Sequence, residues 1–298
     1  MLFSLKDKMR RARFAKRVAG LLDSAPLRLD DALGLHVLSQ LQHKDVLLYL
    51  AAIKSFARQV PVSQIHVLDD GSLTAEDLAI LHQHVPGVRV CPISEVRDPA
   101  LPSGGTWERL TAIARLSEHA YVVQLDADTL AVDGLPEVLE AVRQGHSFTI
   151  GTWDGQTLEP ALERSRQAKT ILQGGGTHVQ VQAEAAFGDL TDAEDLRYVR
   201  GCSGFAGFAP GSGKLDLMRN LSSQLERRLG SVWLEWGSEQ VMSNLVIANQ
   251  AGALVLPHPA YCDCNRMTAG TTRFIHFIGA CRFTSDRYAD TVRHLGLC

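Results

Sequence analysis

Short apolar runs alternate along this chain with segments whose apolar residues recur at helical spacing. Leu35 to Leu41 is the first run and reads as a buried strand. Lys44 to Arg58 follows, with Val46, Leu47, Leu50, Ile53 and Phe56 spaced as one face of a helix. Ile65 to Asp69 is a second strand and ends in Asp69-Asp70-Gly71-Ser72, a turn signature. Leu73 to Val85 reads as a helix, with Thr74 as N-cap and Asp77 three residues on, where a capping box places its acid. Val88 to Ile93 is a third strand, Thr106 to Glu118 a helix, and Tyr121 to Leu125 a fully apolar strand but for Gln124.

The rhythm continues with a helix over Leu135 to Gln144 and a strand over Ser147 to Thr152. Residues 153–200 are less regular and are expected to form insertions over a sheet edge. Their Gly174-Gly175-Gly176 run is unsuited to a helix interior. Gly201 to Pro210 is a glycine-rich strand whose backbone could approach a ligand closely. Lys214 to Leu229 is a helix, and the stretch from Trp233 leads into another that ends near Asn249. Leu254 to Leu256 and Thr272 to Ile278 are strands, and a last helix starts near Ser285. Strands alternating with helices predict an α/β fold on an open, mostly parallel sheet with right-handed crossovers. No internal repeat is evident.

The first 22 residues differ. Lys6, Lys8, Arg10, Arg11, Arg13, Lys16 and Arg17 face a single acid, Asp7, with apolar residues interleaved. This is a basic amphipathic helix. It can lie on an anionic membrane surface, or pack its apolar side on the domain, which is the simpler expectation.

A length of 298 residues allows one large α/β domain or two small ones. A formal charge of −3 argues against nucleic acid as a partner of the whole chain. No apolar run reaches the roughly 18 residues that span a bilayer, and the basic N-terminus lacks the apolar core and cleavage site of a signal peptide. Six cysteines scattered over this length do not form a disulfide framework, so the default is free thiols in a reducing compartment. The expected location is cytoplasmic, or peripheral at the inner face of the membrane.

The candidate chemistry centres on Tyr121-Val-Val-Gln-Leu-Asp-Ala-Asp-Thr-Leu130. Alternate residues of an extended chain point the same way, so Asp126 and Asp128 at the strand end can converge on one point. Two hard oxygens there suit Mn²⁺ or Mg²⁺, which accept phosphate oxygens in the same shell. The carboxyl end of a strand is also where an open α/β sheet binds its ligand. The plainer reading is two aspartates solvating a turn. Cys262-Asp263-Cys264 with His258 could hold zinc only with a fourth ligand, which is not apparent. Trp233 and Trp236 could line a sugar site or belong to the core. Gly174-Gly175-Gly176 is no phosphate loop, because no Lys-Ser/Thr follows.

Taken in order, the motifs resemble those of the GT-A glycosyltransferases, and among them the retaining family 8 of the glycogenin and lipopolysaccharide galactosyl- and glucosyltransferase type. Ile65-His-Val-Leu-Asp-Asp-Gly-Ser72 is similar to the strand and turn that help hold the nucleoside, through Asp69 and Asp70. Thr106-Trp-Glu-Arg109 looks like the aromatic-x-Arg helix start, and Arg109 lies 17 residues before Asp126, the family's spacing. Leu125-Asp-Ala-Asp128 stands at the metal motif. His276-Phe-Ile-Gly279 followed by Arg282 is similar to the C-terminal His-x-x-Gly-x-x-Lys motif. The resemblance implies Asp126, Asp128 and His276 as metal ligands, with Gly279 in the phosphate-binding turn and Arg109 and Arg282 as phosphate clamps. Ser238-Glu-Gln-Val-Met-Ser-Asn244 is similar to the Asp-Gln-Asp-x-x-Asn helix start. That carries over catalytic parts to Glu239 and Gln240, with Val241 in place of the second acid. Ser203 and Gly204 stand where the family has its Asn-Ala-Gly strand. The last motif lacks Pro and Trp, having Phe283 and Thr284 instead.

What the resemblance implies is a metal-dependent hexosyltransferase of GT-A (Rossmann-like) fold. It would comprise an N-terminal helical segment over residues 1–30 and one domain over 31–298. Nucleotide would be bound by residues 35–130 and acceptor by 131–298. The donor would be a nucleotide sugar, most simply a UDP-sugar, and the acceptor a hydroxyl of a glycan, a lipid-linked sugar or a protein. Retention is implied, with inversion through Glu239 as the alternative. A nucleotide-sugar-binding scaffold without turnover is the non-enzymatic alternative. A nucleotidyltransferase is disfavoured, because no glycine-rich triphosphate loop opens the first strand.

Overall fold

The computed structural model describes residues 2–298, the side chains of residues 2–6 and 280 aside. In chain order the elements are α1 (Leu2–Arg17), β1 (Leu35–Leu41), α2 (Val46–Ala57), β2 (Gln64–Asp69), α3 (Ala75–His84), β3 (Arg89–Pro92), α4 (Trp107–Leu116) and β4 (Tyr121–Leu125). There follow β5 (Thr129–Ala131), α5 (Pro136–Gln144), β6 (Phe148–Ile150), β7 (Glu159–Pro160), α6 (Ala161–Gln173), α7 (Val179–Ala186), β8 (Arg197–Tyr198) and β9 (Cys202–Phe208). The chain ends with α8 (Lys214–Leu229), α9 (Ser238–Ala248), β10 (Leu254–Leu256), β11 (Tyr261–Asp263), β12 (Phe274–His276) and α10 (Arg287–His294). The expected α/β class is the observed one, a seven-stranded, mostly parallel sheet flanked by helices. Two compact units divide the chain.

The first unit comprises the residues up to Pro92, Leu125–Leu139 and Pro259–Cys298. In it β2 pairs parallel with both β1 and β3, with Val37 opposite Ile65 and Leu41 opposite Asp69. Thr74 caps α3 in the expected box, its hydroxyl accepting from the Asp77 amide and Asp77 accepting from the Thr74 amide. A second, small sheet was not legible in the sequence. Its order is β11-β12-β5, and β12 runs antiparallel to β5 with His276 opposite Thr129. The strand expected over Thr272 to Ile278 is thereby shortened to three residues.

Helix α1 packs its apolar side into this unit. Phe14 and Val18 are buried with Leu48, Leu130, Phe277 and Tyr288. Arg11 pairs with Asp45 at 3.0 Å, and Arg17 pairs with Asp290 at 2.5 Å and with Asp286. Of the two expectations for this helix, packing on the domain is the one observed for Phe14, while Met9 stays 65% exposed. Among the described residues no helix is long and apolar enough to cross a membrane. Cys264 and Cys281 are joined in a disulfide with their Cα atoms 6.4 Å apart, within the ordinary range. Cys91, Cys202, Cys262 and Cys298 form no disulfide, so the expectation of reduced thiols fails only for this pair.

The second unit comprises Ile93–Gln124 and Glu140–His258. Here β6 lies parallel to β10 and antiparallel to β9, an exception to the parallel pattern expected. Residues 153–200 are more regular than their composition suggests, because they contain the helices α6 and α7. Helix α6 buries Ala161, Arg164, Ser165 and Ala168. Such a face of small and polar residues carries little hydrophobic periodicity. Its Ser165 hydroxyl donates to the Ala185 carbonyl of α7 at 2.7 Å and accepts from the Gly188 amide at 3.2 Å. Gly174-Gly175-Gly176 stands just past the end of α6, with Gly175 at φ +90°. Gly207 of β9 packs against the side chain of Phe148 on the neighbouring strand. A Cβ there would come within 2.3 Å of the Phe148 ring.

Candidate functional site

Strand β4 is apolar and buried up to Leu125, whose carbonyl accepts from the Ser39 hydroxyl at 2.6 Å. Beyond it the chain turns through Asp126, Ala127 and Asp128 into β5, and every residue of the turn is held. The Thr129 hydroxyl donates to the Asp126 carbonyl at 2.8 Å and the Tyr288 hydroxyl to that of Ala127 at 3.4 Å. The Phe277 amide donates to the Asp128 carbonyl at 2.8 Å. The last contact follows from the antiparallel pairing of β12 with β5, which brings His276 alongside the aspartates.

His276 Nε2 lies 3.2 Å from Asp128 Oδ1 and 3.8 Å from Asp126 Oδ2. One ligand atom from each of the three residues lies within 4.8 Å of the others. Asp128 is 5% exposed and His276 7%, so the donors are already desolvated and preoriented. Burial alone would raise the Asp128 carboxyl. The facing His276 and Arg282 outweigh it and hold the carboxyl below its usual range. Two carboxylate oxygens and one imidazole nitrogen form a mixed donor set that fits a divalent cation such as Mn²⁺. The three ligating residues expected from the sequence are thus brought together. Among the described residues they are the group able to hold a metal. The Cys262-Asp263-Cys264 segment is not one, because Cys264 is committed to Cys281.

Arg282 reaches the same place. Gly279 adopts φ +48°, in the left-handed region open to glycine, and starts a single 3-10 turn ending at Arg282. The guanidinium donates to the Phe277 carbonyl at 3.3 Å and forms an ion pair with the second Asp128 oxygen. Asp69 and Asp70 are spent locally. Asp69 Oδ1 accepts from the Gly71 amide at 2.8 Å and the Leu73 amide at 3.2 Å, and Asp70 Oδ1 accepts from the Ser72 amide and hydroxyl. They shape the turn after β2, and Asp70 is exposed.

The remaining candidates lie in the second unit and form their own cluster. Arg109 of α4 is 5% exposed, and its guanidinium lies 3.5 Å from Glu239 Oε1 at the start of α9. Glu239 Oε2 accepts from the Thr106 hydroxyl at 2.9 Å, and the Trp107 indole donates to Ser238 at 2.9 Å. Thr106 has φ +78°, a strained value for a β-branched residue, and it precedes α4 directly. Gln240 Oε1 accepts from the Ser203 amide at 3.4 Å and hydroxyl at 3.3 Å. Gly204 is buried in β9 beside Ser203. Trp233 belongs to the core, edge-to-face on Trp107 at 5.6 Å, whereas Trp236 is 77% exposed. Sequence reading did not single out Ser39 or Tyr288, which brace the Asp126–Asp128 turn. Nothing in the local pattern around either marks it.

No protein-family model matches the chain, and no curated protein matches it in sequence. Solved structures do. The apo structure of the WbbM bifunctional glycosyltransferase superposes with a TM-score of 0.51 and 13% identity, over 91% of this chain and 50% of that one. This chain therefore spans half the length of WbbM. The galactosyltransferase LgtC, in complex with donor and acceptor sugar analogues, superposes with a TM-score of 0.51 and 13% identity, over 87% of this chain and 95% of that one. An active-site mutant of LgtC gives 0.50 and 15%, over 88% and 95%. At such identities the likeness concerns the backbone, and this chain has the GT-A fold of these glycosyltransferases.

Proposed function

We propose that the protein is a metal-dependent glycosyltransferase that moves a hexose from a nucleotide sugar, a UDP-sugar in the simplest case, to a hydroxyl of a glycan, a lipid-linked sugar or a protein. The observation that carries this reading is the convergence of Asp126, Asp128 and His276 within 4.8 Å. The fold shared with LgtC, solved with donor and acceptor sugar analogues, supports it. When the sugar is transferred the leaving group is a nucleoside diphosphate. Asp126, Asp128 and His276 would hold a divalent cation, which would supply positive charge to that group as the glycosidic bond breaks. Arg282, already beside Asp128, holds a diphosphate oxygen through its planar fork. Arg109 is paired with Glu239 here, so a clamp role for it requires that pair to open.

Retention is the stereochemical reading. Both Glu239 oxygens are engaged, one by Arg109 and one by Thr106, which supports a positioning part over that of a general base. Gln240, held toward Ser203, then serves the sugar. Melting curves with UDP-, GDP-, CMP- and ADP-sugars, with and without Mn²⁺, test the proposal. The cognate donor at 100 times its Kd should stabilise the fold by about 2.7 kcal/mol, and only with metal. No shift with any nucleotide sugar plus metal removes the reading.

A further inference from the structure

Within the first unit the polar face of α1 meets the turn that follows Arg282. Between them lies a cavity of about 260 Å³, lined by Arg10, Arg13, Arg282, Thr284, Ser285 and Asp286, with Phe14, Phe283 and Ala289 as its apolar wall. Three guanidiniums face one carboxylate. Arg13 pairs with Asp286, which Arg17 shares. Arg282 pairs with Asp128. Arg10 is exposed and makes no ion pair among the described residues. Two guanidiniums lie over the Phe283 ring, the Arg11 carbon 4.8 Å and that of Arg282 6.0 Å from its centre. Those contacts hold Arg282 and the 283–286 turn in place.

We propose that the Arg10 and Arg13 side of this cavity binds a phosphoryl group beside the metal triad and without Arg282, whose guanidinium is committed to Asp128. Forked guanidiniums with the hydroxyls of Thr284 and Ser285 match the oxygens of a tetrahedral dianion. The volume lies below the roughly 300 Å³ of an ordinary small-molecule pocket, so it takes a phosphate or a headgroup, not a whole nucleotide. Two sources share this chemistry, a soluble phosphate ester and the headgroup of an anionic lipid. Lys8, Lys16 and the 65% exposed Met9 on the outward side of α1 accord with the second. The acidic groups on and facing α1 (Asp7 on the helix; Asp45, Asp286 and Asp290 facing it) are each already paired with an arginine.

The phosphate and vesicle arms use the full chain without metal or nucleotide, so they do not depend on the glycosyltransferase reading; Mn²⁺-dependent UDP binding is measured separately as the control. Calorimetric titration with inorganic phosphate probes a soluble source. Sedimentation with vesicles of equal parts phosphatidylcholine and phosphatidylglycerol, against phosphatidylcholine alone, probes the lipid source. Binding in either arm is expected to fall at least about tenfold in Arg10→Gln/Arg13→Gln, with Mn²⁺-dependent UDP binding unchanged. Arg10→Gln alone breaks no ion pair among the described residues, so it should keep the fold and still show part of the loss. Binding to phosphate identifies a soluble ligand, and binding to vesicles alone a headgroup. No binding in either arm, or wild-type binding by the double variant, overturns the proposal. A proportional loss of UDP binding also overturns it, because the cavity would then belong to the donor site.

Discussion

Asp128 meets His276 through one carboxylate oxygen and Arg282 through the other, while Asp126 stands 3.8 Å from the same imidazole and is more exposed. Removing the Asp128 carboxylate takes away a ligand and leaves two cationic or polar partners facing each other. Asp128→Ala should therefore abolish Mn²⁺-dependent UDP binding and turnover, with the fold intact by circular dichroism. Wild-type activity in that variant would remove the metal centre from the reaction. His276 poses a different question, because it is also 7% exposed and its carbonyl accepts from the Cys264 amide. As a ligand, His276→Ala should weaken metal affinity at least severalfold with a small change in melting temperature. A large fall in melting temperature with metal affinity intact would make it a core histidine.

At the scale of elements, the 3-10 turn that carries Arg282 is tied down by the disulfide from Cys281 to Cys264, next to β11. The bond closes a loop with a sequence separation of 17, for which chain-entropy arguments give about 3 kcal/mol. Cys264→Ser/Cys281→Ser, or a dithiol reductant, should lower stability by up to that amount and loosen the turn. An unchanged denaturation midpoint under reductant would show that the bond contributes nothing. The pairing of β1 with β2 makes a second element-scale prediction. His66 Nε2 lies 3.3 Å from His36 Nδ1, and burial, with the His36 and Arg89 charges, lowers the His66 pKa to about 4. A histidine depressed in the folded state takes up its proton more readily when unfolded. Its contribution is therefore fully present above about pH 6.5 and is lost as pH falls toward 4. The melting temperature of His66→Leu should fall less than that of the native chain between pH 7 and 4. Parallel pH profiles would show that His66 does not drive the acid transition.

For the molecule as a whole, the proposed transfer makes a prediction about stereochemistry. With Glu239 held by Arg109 and Thr106, Glu239→Gln should leave measurable activity. If Glu239 were the base of an inverting reaction, the loss would be about 10²–10⁴-fold. NMR of the product's anomeric proton, formed from an α-linked donor, decides between them. A β-linked product would end the retaining reading while leaving the fold and the metal triad standing.

Much of the framework was legible because it is local. Strand β1, helix α8 and strand β10 have the bounds their apolar patterns predict, the Thr74–Asp77 box is four residues long, and the aspartate pair sits just past the end of β4. Burial of a long element imposes a period, and a period can be read from one sequence. The resemblance placed His276 with the aspartates by motif order. Their actual meeting across 148 residues depends on β12 pairing with β5. The small sheet as such was not legible: β5 and β11 were not expected, and the pairing of the expected 272–278 strand with β5 joins segments far apart in sequence. The same holds for α6, whose buried face is small and polar, and for the pairing of Cys264 with Cys281. Arg109 could be recognised as a functional candidate, but not that it would spend its charge on Glu239. An ion pair between distant residues is chosen by packing and desolvation in the folded chain, and neither is encoded in the residues flanking it.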